Sequence, residues 1–239
     1  MFKTKVLVIA LGAAFALPVM AEEAAAPASG FTPSSNVSIV SNYLYRGMAQ
    51  TNGGTAIQGG FDLAHSSGAY AGVWASSISW LATSGSTGGE FDTYAGYKTA
   101  VSDVGVDVGF LRYNYPGSYA SGFVSADTDE VYGAVSYSIV TAKLSYSTSN
   151  LFGVANSKNS TYLELNANYP IADTGLTVGG HYGKQTVANN ATADYTDYKL
   201  SVSKDFSGYV LGLAYSSTDV ASTNGLGVST GVVSLSRAF

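Results

Sequence analysis

Three observations predict a closed antiparallel transmembrane β-barrel, all-β, with twelve strands. The first is the last stretch of the chain, Val228–Phe239. There Phe239, Arg237, Leu235, Val233 and Gly231 share one parity, and Ala238, Ser236, Ser234, Val232 and Thr230 share the other. One set is mostly bulky and apolar and the other mostly small and polar, which is the period of a strand. The second is that eleven more alternating segments precede it, each close to the roughly 9–11 residues a tilted strand needs to cross a bilayer. The third is that the connectors between segments alternate long and short without a break. A barrel with both ends on one side of a membrane requires that order, and a soluble β-sandwich does not.

The N-terminus sets the compartment. Lys3 and Lys5 precede an uncharged run from Val6 to Val19, and Val19-Met20-Ala21 offers a small residue before Glu22 and Glu23. This reads as a secretory signal peptide, residues 1–21, cleaved after Ala21. Residues 22–35, rich in Ala, Pro and Ser, read as a flexible leader, and residues 36–239 as the barrel.

Composition agrees with export and excludes several functions. Without the signal peptide nine Lys and Arg face sixteen Asp and Glu, a formal charge near −7. An acidic chain lacks the clustered cations that nucleic acid requires. There are no cysteines, so no disulfide framework or thiolate metal site exists. Charged residues make up 11%, below the roughly 25% of an average globular domain. Mean hydropathy is only +0.14. Moderate apolarity throughout, with no helix-length apolar run after the signal peptide, suits strands that show one face to lipid and one to water.

In order, the segments are Val37–Arg46, Ala56–His65, Ala69–Ser77, Glu90–Thr99, Asp103–Tyr113, Asp129–Ser138, Val140–Ser147, Thr161–Tyr169, Leu176–Lys184, Asp197–Phe206, Tyr209–Ser217 and Val228–Phe239. Long connectors fall at Gly47–Thr55, Ile78–Gly89, Asn114–Thr128, Thr148–Ser160, Thr186–Thr196 and Thr218–Gly227. Turn residues such as Ser66–Gly68 and Ser207–Gly208 make the short ones.

Parity assigns faces. In Tyr209–Ser217 the bulky set Tyr209, Leu211, Leu213 and Tyr215 should meet lipid, with Val210, Gly212, Ala214 and Ser216 toward the lumen. The same rule places Asp62, Asp92, Asp107, Glu130 and Glu164 in the lumen, with Lys143, Lys199 and His181, as candidate pore-lining residues. Their acidic excess implies a narrow aqueous pore with a mild preference for cations. Tyr43, Tyr45, Trp74, Trp80, Tyr113, Tyr115 and Tyr169 fall near segment ends and are expected to form an interfacial aromatic girdle.

The terminal strand resembles the closing strand of bacterial outer-membrane barrels, with Val233, Leu235 and Phe239 on its apolar face. Arg237 departs from that pattern and is placed at the membrane interface. Several further stretches, including Ser41-Asn42-Tyr43-Leu44-Tyr45-Arg46-Gly47, Gln58-Gly59-Gly60-Phe61-Asp62, Tyr70-Ala71-Gly72-Val73-Trp74, Tyr94-Ala95-Gly96-Tyr97, Tyr113-Asn114-Tyr115-Pro116-Gly117 and His181-Tyr182-Gly183, resemble the TorF family of outer-membrane porins. The resemblance implies an outer-membrane, porin-like barrel and carries no catalytic residue.

Catalysis finds little support. A lipase needs a serine and histidine in contact, with a third group orienting the histidine. Only His65 and His181 exist, one beside a short turn and one on a lumenal parity. No metal-ligand spacing occurs, and no cofactor is expected. Expected partners are outer-membrane lipid, the barrel-assembly machinery through the C-terminal strand, and small solutes. The function expected is passive diffusion of small hydrophilic solutes or ions. The alternative is a plugged barrel with a structural or adhesive role, with Asn114–Thr128 as the segment long enough to fold inward.

Overall fold

Alternation at period two commits each segment to an outward and an inward face, and short turns commit neighbours to antiparallel pairing. The computed structural model describes residues 30–83, 87–220, 226–227 and 229–239; the expected signal peptide lies outside them, as does the expected leader up to residue 29. The strands are β1 (Phe31–Val40), β2 (Leu44–Tyr45), β3 (Met48–Ala49), β4 (Ala56–His65), β5 (Ala69–Ser77), β6 (Gly89–Val101) and β7 (Val104–Asn114). They continue with β8 (Thr128–Tyr137), β9 (Val140–Ser147), β10 (Thr161–Ile171), β11 (Leu176–Thr186), β12 (Tyr195–Phe206), β13 (Tyr209–Thr218) and β14 (Thr230–Ala238). Twelve of them close into an antiparallel barrel in the order β1-β14-β13-β12-β11-β10-β9-β8-β7-β6-β5-β4, with β4 returning to β1. β2 and β3 pair with each other as a separate hairpin, and Met48 of β3 makes one further antiparallel bridge to Gly227.

Closure is made by the terminal strand. β14 pairs with β1 from Asn36↔Ala238 to Val40↔Ser234 and with β13 on its other side. Phe239 and Ser35 then exchange two backbone hydrogen bonds, at 2.8 and 3.1 Å. No wall strand keeps an open edge that could pair with another chain.

At the opposite end of β1 from the leader, the wall turns inward sooner than its apolar pattern suggests. The segment expected at Val37–Arg46 is instead Phe31–Val40, so residues 31–35 of the expected leader are wall. The cause is register: β4 pairs with β1 through all ten residues, from Phe31↔His65 to Val40↔Ala56. Ser41 still bonds β14, its N–H donating to the Val233 carbonyl at 2.8 Å, and Asn42 to Gln50 are freed to enter the lumen.

Short turns hold one end of the barrel. Ser102-Asp103, Ser138-Ile139 and Ser207-Gly208 each join two strands, and Ser102, Ser138 and Ser207 take φ of 54°, 54° and 56°. A positive φ at the first turn position gives the primed turns whose twist matches that of the flanking strands.

The outer face carries exposed large apolar side chains on all twelve wall strands, among them Ile57, Val73, Leu144, Leu200, Leu213 and Leu235. Water-soluble surfaces do not expose apolar area on this scale, so the face is a membrane-spanning belt. The inner face is small, polar and tyrosine-rich. Three of its tyrosines, Tyr70, Tyr94 and Tyr132, stand directly across from Gly96, Gly72 and Gly109 on the neighbouring strand. A Cβ on any of these glycines would collide with the facing tyrosine ring or hydroxyl. The glycines are the space into which the lumenal rings lie flat.

Candidate functional site in the barrel lumen

The site begins with the hairpin β2–β3. Asn42 and Thr51 tie its base, the Thr51 hydroxyl donating to Asn42 Oδ1 at 3.0 Å and accepting the Tyr43 N–H at 3.0 Å. Its turn is Arg46-Gly47, both with positive φ (48° and 75°). A two-residue turn of that kind favours glycine at its second position. Here the demand is doubled, because a Cβ on Gly47 would lie 2.6 Å from Cβ of Asp197 on β12.

The hairpin leaves β1 and returns to β4, which are neighbours in the wall, yet its tip meets the opposite side. Arg46 Nη2 donates to Glu130 Oε2 at 2.8 Å, and Nη1 donates to Glu130 Oε1 and Gln185 Oε1 at 3.0 Å each. Glu130 belongs to β8 and Gln185 to β11, five and four steps around the barrel from β1. The guanidinium also lies over the Tyr162 ring of β10, 4.2 Å from its centroid. Tyr43 donates to Glu90 Oε1 at 3.1 Å on β6, and Tyr45 shares a hydroxyl–hydroxyl bond with Tyr113 on β7. Backbone bonds from Ala49 to Leu226 and from Ser79 to Gln50, 2.8 Å each, fix the hairpin to two other long loops. The lumen is therefore spanned by its own first long loop.

Burial matches this. Tyr43, Leu44 and Ala49 are no more than 2% exposed, and they pack with Trp74, Tyr113 and Tyr115 into an apolar cluster inside the barrel mouth. Burying these side chains stabilises docking by about 1.5–3 kcal/mol for a leucine-sized group. The bidentate Arg46–Glu130 pair adds direction, since a planar guanidinium accepts one orientation against a carboxylate.

Below the hairpin, a belt of alternating charge follows the inner wall. Lys98 lies 3.8 Å from Asp107, and Lys143 lies 3.7 Å from Glu164. Lys98 and Lys143 also sit over the rings of Tyr70 and Tyr132. Tyr70 donates to Asp107 at 2.6 Å, and Tyr94 donates to Asp62 at 2.6 Å. His181 closes the belt: its Nδ1 meets Asn166 Oδ1 at 2.8 Å, and its Nε2 meets Asp197 Oδ1 at 3.0 Å and the Tyr162 hydroxyl at 3.1 Å.

The model of the Gcw_chp family, described as a bacterial protein of unknown function, matches residues 24–239. The chain belongs to the Gcw_chp family. No curated protein matches it in sequence. Among solved structures, a KdgM porin superposes with a TM-score of 0.55 at 10% identity, over 86% of this chain and 99% of its own. A membrane protein from a study of in-meso crystallization gives 0.54 at 8% identity, over 87% and 83%. At such identities the likeness is one of fold.

In this Gcw_chp chain Asp62, Asp92, Asp107, Glu130, Glu164, Lys143, His181 and Lys199 lie on the inner parity of their strands. The structure divides them. Glu130 binds the hairpin, Asp92 is buried beside it, and Asp62, Asp107, Glu164, Lys143 and His181 belong to the charge belt. Val233, Leu235 and Phe239 face outward on the closing strand, and Arg237 lies over the rings of Tyr209 and Phe239.

The aromatic girdle is corrected. Tyr43, Tyr45, Trp74, Tyr113 and Tyr115 are interior residues, and Trp80 packs its ring edge-on to Tyr115 at 5.6 Å; of the seven, Tyr169 stands exposed on the outer wall. Each displaced aromatic is engaged from the lumen side by the hairpin or the cluster it anchors. The inward segment is also corrected. Pro116–Ser118 and Ala120–Ser125 are mostly exposed, whereas Asn42–Leu44 and Arg46–Gly47 are buried. Missed from sequence were Arg46, Glu90, Gln185, Asp197 and Tyr162. An arginine before glycine in an otherwise apolar stretch was the one available signal for Arg46.

His65 Nδ1 meets Ser67 Oγ at 2.8 Å in an exposed turn. Both nitrogens of His181 are engaged by Asn166, Tyr162 and Asp197.

Proposed function

We propose that this protein is an outer-membrane channel for small hydrophilic solutes or ions, constricted by its own first long loop. The observation that carries the reading is the hairpin whose Arg46 grips Glu130 and Gln185 on the far wall. The barrel fold, the apolar outer belt and the motif resemblance to the TorF porins support an outer-membrane location, reached through a cleaved signal peptide. The partners are then outer-membrane lipid, the barrel-assembly machinery acting on β14, and the passing solute.

A mild cation preference follows from the lining. Among the described residues, and leaving aside the buried neighbours Glu90 and Asp92, the inner face presents the carboxylates of Asp62, Asp107, Glu130, Glu164 and Asp197 against Lys98, Lys143 and Lys199, with the hairpin's Arg46 bound to Glu130. A low-dielectric wall strengthens that imbalance within a narrow bore.

The test is single-channel recording of the refolded protein in a planar bilayer across a salt gradient. Small steps with a reversal potential toward the cation value are expected. An anion-directed potential would refute the charge assignment. A barrel that stays closed even with the hairpin excised would favour the structural alternative.

A further inference from the structure

Where β6 meets the hairpin, the charges do not balance. Glu90 and Asp92 stand two residues apart on one face of β6, 1% and 7% exposed. Glu130 lies near enough to act on Asp92 through its charge. Arg46 does not offset them, because both oxygens of Glu130 already engage it. Glu90 Oε1 accepts from Tyr43, but Glu90 Oε2 and Asp92 Oδ1 are buried with no hydrogen-bond partner. Two adjacent carboxylates in a low-dielectric site strongly oppose joint ionisation unless positive charge is supplied.

From this geometry we infer that Glu90 and Asp92 bind one hard divalent cation of the calcium class at the mouth of the lumen. The two unpartnered oxygens are its anchoring ligands, and a divalent charge cancels both carboxylates. Hard oxygen donors suit calcium better than a transition metal, which would seek imidazole or thiolate. Among the described residues no set of three or more His, Cys, Asp or Glu side chains converges as a metal group. The remaining ligand positions therefore fall to water and to neighbouring hydroxyls, as is common for hard cations. Tyr43 bonds the same Glu90 carboxylate, so the cation would brace the hairpin against β6, as Arg46 braces it against β8. Binding itself does not depend on whether the barrel conducts.

The site carries its own reporter. The chain has two tryptophans, Trp74 and Trp80. Trp74 is the cross-strand partner of Asp92, and its ring lies 5.6 Å from that of Tyr43. Terbium titration of the folded protein in detergent, with tryptophan excitation, tests the proposal directly. Saturable sensitised emission is expected, displaced by CaCl2 and not by equal ionic strength of NaCl. In Glu90→Gln/Asp92→Asn, apparent affinity falls about tenfold or more. In Asp127→Asn/Asp129→Asn, which removes carboxylates of the adjacent long loop and strand end, it is unchanged. Heat-dependent gel migration confirms that each variant is folded, and Asp92→Asn alone replaces the double variant should that not fold. Emission that does not saturate, that survives in Glu90→Gln/Asp92→Asn, or that is lost in Asp127→Asn/Asp129→Asn overturns the site; the first would leave Glu90 and Asp92 sharing a proton.

Discussion

The guanidinium of Arg46 and the carboxylate of Glu130 form a bidentate pair across the lumen, at 2.8 and 3.0 Å, with side chains 6% and 2% exposed. The residues come from a hairpin tip and from the far wall, so the pair fixes the position of the hairpin more than the stability of any strand.

Removing one partner should cost more than removing both. Glu130→Gln leaves a buried guanidinium uncompensated, at about 3–5 kcal/mol, whereas Arg46→Met/Glu130→Met replaces the pair by apolar volume at much smaller cost. Chemical unfolding in lipid vesicles, run as a double-mutant cycle, measures this. Equal losses in the single and double variants would contradict the account.

Lumenal tyrosines depend on the glycines opposite them. A Cβ at Gly96 would lie 2.6 Å from the Val108 carbonyl oxygen and collide with the Tyr70 hydroxyl. Gly96→Val should therefore destabilise the barrel by about 1–3 kcal/mol. Gly133→Val, at a position with open space around it, should be much milder. Unfolding midpoints of the two variants decide the matter.

Lipid contact makes a depth-dependent prediction. Leu213 lies mid-strand on the outer face of β13, half exposed. Leu213→Arg should cost about 2–4 kcal/mol, as for a cation placed near the bilayer midplane. Arg237→Leu, near the end of β14, should change stability little. Reversible unfolding in vesicles reports both.

One loop junction should respond to acid. Asp219 accepts from the Thr196 N–H and the Thr196 hydroxyl, each at 2.6 Å, and these bonds hold its carboxyl below the usual aspartate range. A carboxylate lowered by folding contributes stability above its unfolded pKa and loses it as pH falls through the folded value. The junction should stay latched at neutral pH and release only below the ordinary aspartate range. The Thr196 amide resonance followed against pH shows this. A transition at or above the ordinary range, or one that persists in Asp219→Asn, contradicts it.

The barrel was legible in the sequence because its signal is repeated. Ala56–His65, Ala69–Ser77 and Val140–Ser147 form strands with the expected bounds, since period-two alternation and turn residues define both ends. The lumen was less legible. Tyr43 and Trp74 look interfacial by position, but tyrosine and tryptophan pair an apolar body with a polar handle and suit a crowded wet lumen equally well. Which loop turns inward depends on contacts such as Arg46 with Gln185, 139 residues apart, and no local pattern encodes them.

The central claim is that residues 43–50 constrict the lumen, and the direct measurement is conductance with and without them. Wild-type protein and a variant carrying a short Gly-Ser linker in place of residues 43–50 should be recorded in the same planar bilayer, after both are shown to be folded. Small or infrequent steps in the wild type and several-fold larger, sustained steps in the variant are the predicted result. Equal conductance in the two would contradict the account, because the hairpin would then not be what limits the pore.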